Sequence, residues 1–455
     1  MAARTGAAGR LDERLAAIAG TEGRELSGLA VVAVEDDRTV YEGYFGHRYI
    51  DPEDGSRSLP VDGRTKFRIA SMSKPVVGIG AMLLVERGLL DLDADLSDYL
   101  GFALRNPSYP EDRITCAMLL GHVSSIRDAD RYNLPLPLGL RELLLPGGAF
   151  YEDGAHFAAP PPGADLRLGP RPGRHYRYSN LNYGILGTVI ERIAGRRFDL
   201  YMRDEVLRPL GLEAGFNLLH LGEEGVRHLA ALYRKADPDD EDDTSWDPKG
   251  PWKAQFDDHR GRLPAIAWRS SPGLGPEALD GYEIGTNGTL FSPQGGLRVS
   301  APGLAKVMRL FMNGGEVDGT RLLSRGSVET MTTARWRYDP DAPNGDLDGA
   351  PLGETGLGLM REATFIGGAD ETGGGGGGGR ADVAGPRYLW GHHGDAYGLL
   401  GSMLFDAGRR RGLVYVIGGT AVPPAQAKGA SMSHNVWEEG IQRAVSEELW
   451  EGRGA

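Results

Sequence analysis

The sequence predicts a split α/β lobe carrying an inserted, mostly helical lobe, with a cleft between the two. Three observations lead there: a hairpin pattern near the N-terminus, more strand patterns near the C-terminus, and helical periodicities between them.

Residues 29–47, L-A-V-V-A-V-E-D-D-R-T-V-Y-E-G-Y-F-G-H, are two β-branched and aromatic runs joined by a polar E-D-D-R turn, which is the pattern of a hairpin. From residue 71 to 87 the period becomes helical, with Val76, Ile79, Met82, Leu83 and Val85 apolar and Gly88 placed to stop the helix. Residues 180–195 read as a second helix, with Ile185, Leu186, Val189 and Ile193 on one face and Gly195 as its end. Strand patterns return at 397–406 and 411–419, and 435–449 is an amphipathic helix. On this reading, 10–85 and 285–455 form the split lobe and 86–284 the inserted one.

Two segments read as loops. Residues 236–262 hold an acidic run followed by Pro, Gly and two Trp, the pattern of a solvated surface excursion or a lid. Gly373 to Gly379 are seven consecutive glycines with no G-K-[ST] after them, so they form a connector and not a phosphate-cradling loop. No internal repeat of 20–50 residues is present.

Composition narrows the function. With 455 residues, 40% of them hydrophobic, the chain can bury a substantial core. A net charge of −13, without basic runs interleaved with aromatics, disfavours a nucleic-acid partner. No apolar stretch of 18 residues and no secretory leader pattern is found, so the expected setting is cytoplasmic, with no membrane partner. Cys116 is the single cysteine, which excludes an intrachain disulfide and a thiolate zinc cluster and reads as a small buried apolar residue. The ten histidines show no H-E-x-x-H spacing, so neither a metal nor any other cofactor is expected.

The chemistry gathers in three clusters. In F-R-I-A-S-M-S-K-P-V-V, 67–77, Ser71 and Lys74 are three apart and share a helix face. A lysine desolvated in a cleft can take a serine's proton, and a helix start can stabilise an oxyanion. The second cluster, R-H-Y-R-Y-S-N at 174–180, places Tyr178 and Asn180 two residues apart, so in extended chain they point the same way, Tyr178 to share the proton with Lys74. The third, W-G-H-H-G-D-A-Y-G at 390–398, precedes the 397–406 strand and has glycines that let a substrate approach the backbone.

Together these clusters resemble the serine β-lactamase and penicillin-binding-protein superfamily. The likeness is to its class C-related branch, which includes family VIII carboxylesterases, D-aminopeptidases, nylon-oligomer hydrolases and some acyltransferases. S-M-S-K matches S-x-x-K, Y-S-N matches Y-x-N, and H-H-G at 392–394 stands where relatives have K-T-G. Segments 88–100, 172–180, 207–212 and 292–300 are similar too. The resemblance implies an α+β, β-lactamase/DD-peptidase-like fold, an antiparallel sheet flanked by helices with an inserted helical lobe. It also implies Ser71 as nucleophile, Lys74 and Tyr178 as the base pair, and an oxyanion hole from the backbone N–H of Ser71 and Asp395 beside His392 and Gly394. Asn180, His393, Trp390 and Tyr397 are the expected substrate contacts. One departure is H-V-S-S-I at 122–126 where relatives have H-T-S-G-L, so Ser125 must adopt a conformation that favours glycine.

β-Lactams and peptidoglycan stems carry a carboxylate that relatives hold near the third motif. Here that neighbourhood offers His392, only partly charged at neutral pH, and the anion Asp395, which disfavours such substrates. The expected reaction is acyl transfer from an uncharged or cationic ester or amide of a small metabolite. Water as acceptor makes an esterase or amidase, an amine or alcohol makes a transacylase, and a cleft that binds without turnover is the remaining alternative. Nothing in the sequence sets the oligomeric state.

Overall fold

The computed structural model describes residues 6–152, 154–160, 169–237, 245–257, 279, 281–347, 352–366, 387–429 and 434–451. The glycine run 373–379 lies outside them.

The predicted hairpin forms strands β1 (Gly28–Glu35) and β2 (Arg38–Tyr49). Asp36 and Asp37 make its turn at φ 48° and 64°, a left-handed pair that matches the strand twist. β1 is an interior strand, the seventh of nine, in a sheet of the described residues. Its other neighbour is Arg411–Ile417, followed outward by Leu399–Asp406, Arg387–Ala396, Met360–Thr364, Leu352–Thr355 and Trp336–Arg337. The register is antiparallel, with Leu29 opposite Ile417 and Gly28 opposite Gly46. The sheet therefore draws its strands from both halves of the chain.

Helices cover both faces, which is why β1 is apolar at every interior position. Ala30, Val32 and Val34 pack with the helices Ser73–Glu86 and Ala301–Met312, whereas Leu29, Val31 and Ala33 meet Leu11 and Leu15 of α1 (Ala7–Ala19) and Trp437 and Ile441 of Val436–Val445. The C-terminal helix opens with a capping box between Asn435 and Glu438.

Helix Ser73–Glu86, hereafter α2, is buried all round from Ser73 to Leu84 and ends before Gly88, whose φ is 67°. It begins two residues later than the sequence suggested, because Ala70–Met72 form a 3-10 turn that holds Ser71. Helix Leu181–Ala194 ends at Gly195 in the left-handed conformation, as its sequence predicts.

Two expectations are corrected. The third cluster does precede a strand, Leu399–Asp406, but it is not a lead-in loop: Arg387–Ala396 is itself a strand, paired on both sides, and Tyr397 and Gly398 make the turn between the two. Glycine and histidine disguise it, and pairing overrides their weak propensity. Nor is 236–262 all loop, since Trp252–Phe256 pairs with Leu232–Lys235 in a small sheet. No described helix is long and apolar enough to cross a membrane.

Candidate active site

Ser71 is presented by a tight turn between strand Lys66–Arg68 and α2. Ala70 adopts φ 47°, a costly conformation for a residue with a Cβ, and the turn is locked because Ser73 Oγ donates to the Ala70 carbonyl at 2.7 Å while Leu297 N donates to Ser73 Oγ. Gly394 packs against this turn so closely that a Cβ there would lie 2.7 Å from the Ile69 carbonyl oxygen. That approach explains the glycine of the third motif.

The polar groups converge on Ser71. Lys74 Nζ lies 2.9 Å from Ser71 Oγ, and the Tyr178 hydroxyl donates to the same oxygen at 2.7 Å. Lys74 also donates to Asn180 Oδ1 at 3.0 Å and to the Gln294 carbonyl at 2.9 Å. Tyr178 and Asn180 do not share an extended segment, because Asn180 is already helical at φ −72°, ψ −32°. Lys74 does not reach the Tyr178 hydroxyl directly; its amine sits over the Tyr178 ring, 4.7 Å from the centroid. Any proton passed between them goes through Ser71.

Lys74 is fully buried, and desolvation drives its pKa well below the ordinary lysine value, with Asp128 opposing and Arg68 adding to the fall. Burial also pushes the Tyr178 phenol above its ordinary range, the hydrogen bond to Ser71 opposing. The two shifts act in one direction: burial favours the neutral amine of Lys74, which can accept a proton, and the neutral phenol of Tyr178, which keeps its own.

Asp128, which the sequence did not single out, anchors the second motif. Its carboxylate accepts from Asn180 Nδ2 at 2.9 Å, Ser179 Oγ at 3.0 Å and Leu181 N at 2.9 Å. Because Asn180 Nδ2 faces Asp128, its oxygen must face Lys74. His122 stacks on Tyr178 with ring centroids 4.4 Å apart and accepts from Ser179 N, and Ser125 takes φ 64° where relatives have glycine. The Gln294 carbonyl was also missed, since a backbone acceptor leaves no side-chain signature; the neighbouring Gly295-Gly296 pair was the available signal.

The third motif divides its residues between two faces. His392 is buried with its ring edge toward Tyr178, 6.3 Å between centroids, and burial depresses its pKa far enough to keep it neutral. Of the two rings, His393 and not His392 is the one whose surroundings favour the charged form. Burial opposes protonation of His393, but Glu362, 2.6 Å away, outweighs it and raises the pKa. Asp395 follows on the His393 side, exposed. Trp390 is not brought to Ser71; it lines a separate cavity of about 480 Å³ with Arg361 and Phe405. Tyr397 stands at the hairpin turn, stacked on Phe256 at 4.7 Å. Among the described residues no group of three or more His, Cys, Asp or Glu could hold a metal ion.

The Beta-lactamase family model matches residues 14–431. Protein Rv1367c of Mycobacterium tuberculosis is 27% identical over 323 residues, 68% of this chain and 68% of its own length. EstCE1, described as a hydrolase with promiscuous acyltransferase activity, has a similar structure, with a TM-score of 0.59 at 19% identity over 96% of this chain and 98% of its own. The D-amino acid amidase of Ochrobactrum anthropi SV3, solved with L-phenylalanine amide, gives 0.58 at 18% identity over 97% and 96%. At these identities the solved structures speak for the fold, and the family model, which spans most of the sequence, speaks for descent: the chain belongs to the Beta-lactamase family.

Proposed function

We propose that the protein is a serine hydrolase that cleaves an ester or amide of a small molecule through an acyl-enzyme on Ser71. The observation that carries this reading is the simultaneous approach of Lys74 Nζ and the Tyr178 hydroxyl to Ser71 Oγ, at 2.9 and 2.7 Å.

A neutral Lys74 has two N–H bonds and one lone pair. Asn180 Oδ1 and the Gln294 carbonyl can only accept, so they take the two hydrogens and leave the lone pair facing Ser71. Lys74 then removes the Ser71 proton as Oγ attacks the substrate carbonyl carbon. The carbonyl oxygen becomes an oxyanion, for which the backbone N–H groups of Ser71 and Asp395 are the assigned donors. Collapse breaks the ester or amide bond, and the leaving oxygen or nitrogen takes the proton held by Lys74. Tyr178, which keeps its proton, donates to Oγ and steadies it as charge comes and goes. Water repeats the sequence and releases the acid.

A transacylase is the second reading. Phe256 stacks on Tyr397, so the strand Trp252–Phe256 touches the hairpin that bears Asp395, where it could cover an acyl-enzyme. EstCE1 is described as having acyltransferase activity beside hydrolysis. The decisive test of the common mechanism is labelling with a fluorophosphonate. One adduct is expected, mapped to Ser71 and absent from Ser71→Ala; a label on another hydroxyl refutes it.

A further inference from the structure

Arg68 ends the strand that leads into the Ser71 turn and is only 5% exposed. A buried guanidinium is costly unless an anion shares its site. Its register partner Arg298 is provided for, since its Nε and one Nη meet the two oxygens of Asp257 at 3.0 and 2.9 Å. The guanidinium of Arg68 makes no hydrogen bond or ion pair with any described residue, and its Nε is sealed from solvent without a partner.

What surrounds it is aromatic. The guanidinium carbon lies 4.6 Å from the Phe256 centroid and 5.1 Å from that of Tyr397, and these two rings stack on each other at 4.7 Å. Stacking fixes the plane of the fork without using its hydrogens. Tyr397 is 40% exposed, so this platform borders the open hairpin tip. Arg68 precedes Ser71 by three residues, on the strand that enters its turn, and lies within electrostatic reach of Lys74.

We propose that Arg68 is the subsite for a carboxylate carried by the substrate of the Ser71 site, an assignment that rests on the acyl-transfer reading above. A guanidinium held flat by rings and without a hydrogen-bonding partner among the described residues matches a carboxylate in shape and charge. Asp395 does not cancel this cation: the charges that act on Asp395 are His393 and Glu438, whereas the carboxylate that acts on Arg68 is Asp257, which is already held by both nitrogens of Arg298.

The test compares each anionic ester with its own neutral counterpart: p-nitrophenyl hemiadipate with p-nitrophenyl hexanoate for a carboxylate on the acyl side, and the butyrate ester of 4-hydroxybenzoate with that of 4-hydroxybenzamide for a carboxylate on the leaving side. In the wild-type enzyme one of the two anionic esters should exceed its neutral counterpart in kcat/KM by about tenfold or more, chiefly through KM, and which one it is locates the subsite. In Arg68→Gln that ratio should fall to about one, and Arg68→Lys should restore part of it. Equal rates within both pairs in the wild type, or a preference that persists in Arg68→Gln, overturns the proposal. Should Arg68→Gln fail to fold, Arg68→Lys decides: a preference undiminished in that variant, where the fork is lost, overturns the assignment, and a reduced one supports it. Failure of the acyl-transfer reading is seen separately, as absence of turnover and of fluorophosphonate labelling with every ester.

Discussion

Lys74 Nζ lies 2.9 Å from Ser71 Oγ, and its other two hydrogen-bond partners are the neutral oxygens of Asn180 and Gln294. Among the described residues no carboxylate touches the amine. A buried ammonium without a counterion is unfavourable, whereas a buried neutral amine with two acceptors is fully satisfied. The burial that looks like a liability for a lysine is what makes this one a base.

Lys74→Ala and Tyr178→Phe should each lower kcat/KM about a thousandfold, and the double variant should lose far less than the product of the two. Groups that act on one proton through one oxygen cannot fail independently. Fully multiplicative losses, or a near-normal rate in either single variant, would show that the two do not work as a unit.

The pH profile follows from the same burial. Lys74 must be neutral to act, and its pKa is lowered, so kcat/KM should rise with pH along a limb whose midpoint lies far below 10.5. Tyr178 is shifted upward, so its proton should not be lost on the alkaline side below about pH 10. A limb centred near 10.5 would mean that Lys74 is charged in the resting enzyme.

Asp128 holds three donors of the second motif, two of them backbone or side chain of residues flanking Asn180. Asp128→Ala should destabilise the fold by about 2–3 kcal/mol and let Asn180 turn away from Lys74. Because Asp128 favours the charged form of Lys74, Asp128→Asn should also move the acid limb of the pH profile to lower pH. Urea unfolding and the pH profile together check both effects, and an unmoved limb would remove Asp128 from the electrostatics of the site.

These residues mark where the sequence was informative and where it was not. The hairpin at Asp36–Asp37 and the helices after Ser71 and Asn180 were legible because turn residues and periodicity are local properties. Ser71, Lys74 and Tyr178 were legible through their spacing. Asp128, the Gln294 carbonyl and Arg68 were not, since each acts through a contact made only in the folded chain. Trp390 was grouped with the site because it looks adjacent in sequence, yet four steps of strand separate it from Gly394, about 13 Å along the sheet.

His434 supplies a stability test away from the cleft. Burial opposes its charge, but the Glu438 carboxylate 3.9 Å away and the Ala363 carbonyl at 2.9 Å prevail and raise its pKa to about 9. A raised histidine pKa stabilises the fold in full below its unfolded value near 6.5, and the contribution disappears as pH rises through 9. The difference corresponds to about 3 kcal/mol at most. Urea midpoints should therefore fall between pH 6.5 and 9 in the wild type and stay flatter in His434→Gln. Parallel curves would show that the His434–Glu438 pair contributes no linkage.

The choice between water and another acceptor should depend on Phe256 more than on the tryptophans of its segment. Trp246 and Trp252 already face the chain's own cations, with Arg234 5.9 Å from one ring and Lys235 5.5 Å from the other. They have less surface left to attract an amine than their sequence suggested. Phe256, at the far end of the same strand, stacks on Tyr397 beside the third motif. An acyl-enzyme has no built-in preference for water, and its fate follows from what is held at the attacking angle, where positioning alone is worth orders of magnitude. With one activated ester and a titration of primary amines and alcohols, the ratio of transfer product to free acid should exceed the uncatalysed ratio. Phe256→Ala should lower it several-fold, and Trp246→Ala should change it less. A ratio that never rises above the uncatalysed value for any acceptor would leave a plain hydrolase, and equal effects of the two substitutions would detach Phe256 from acceptor choice.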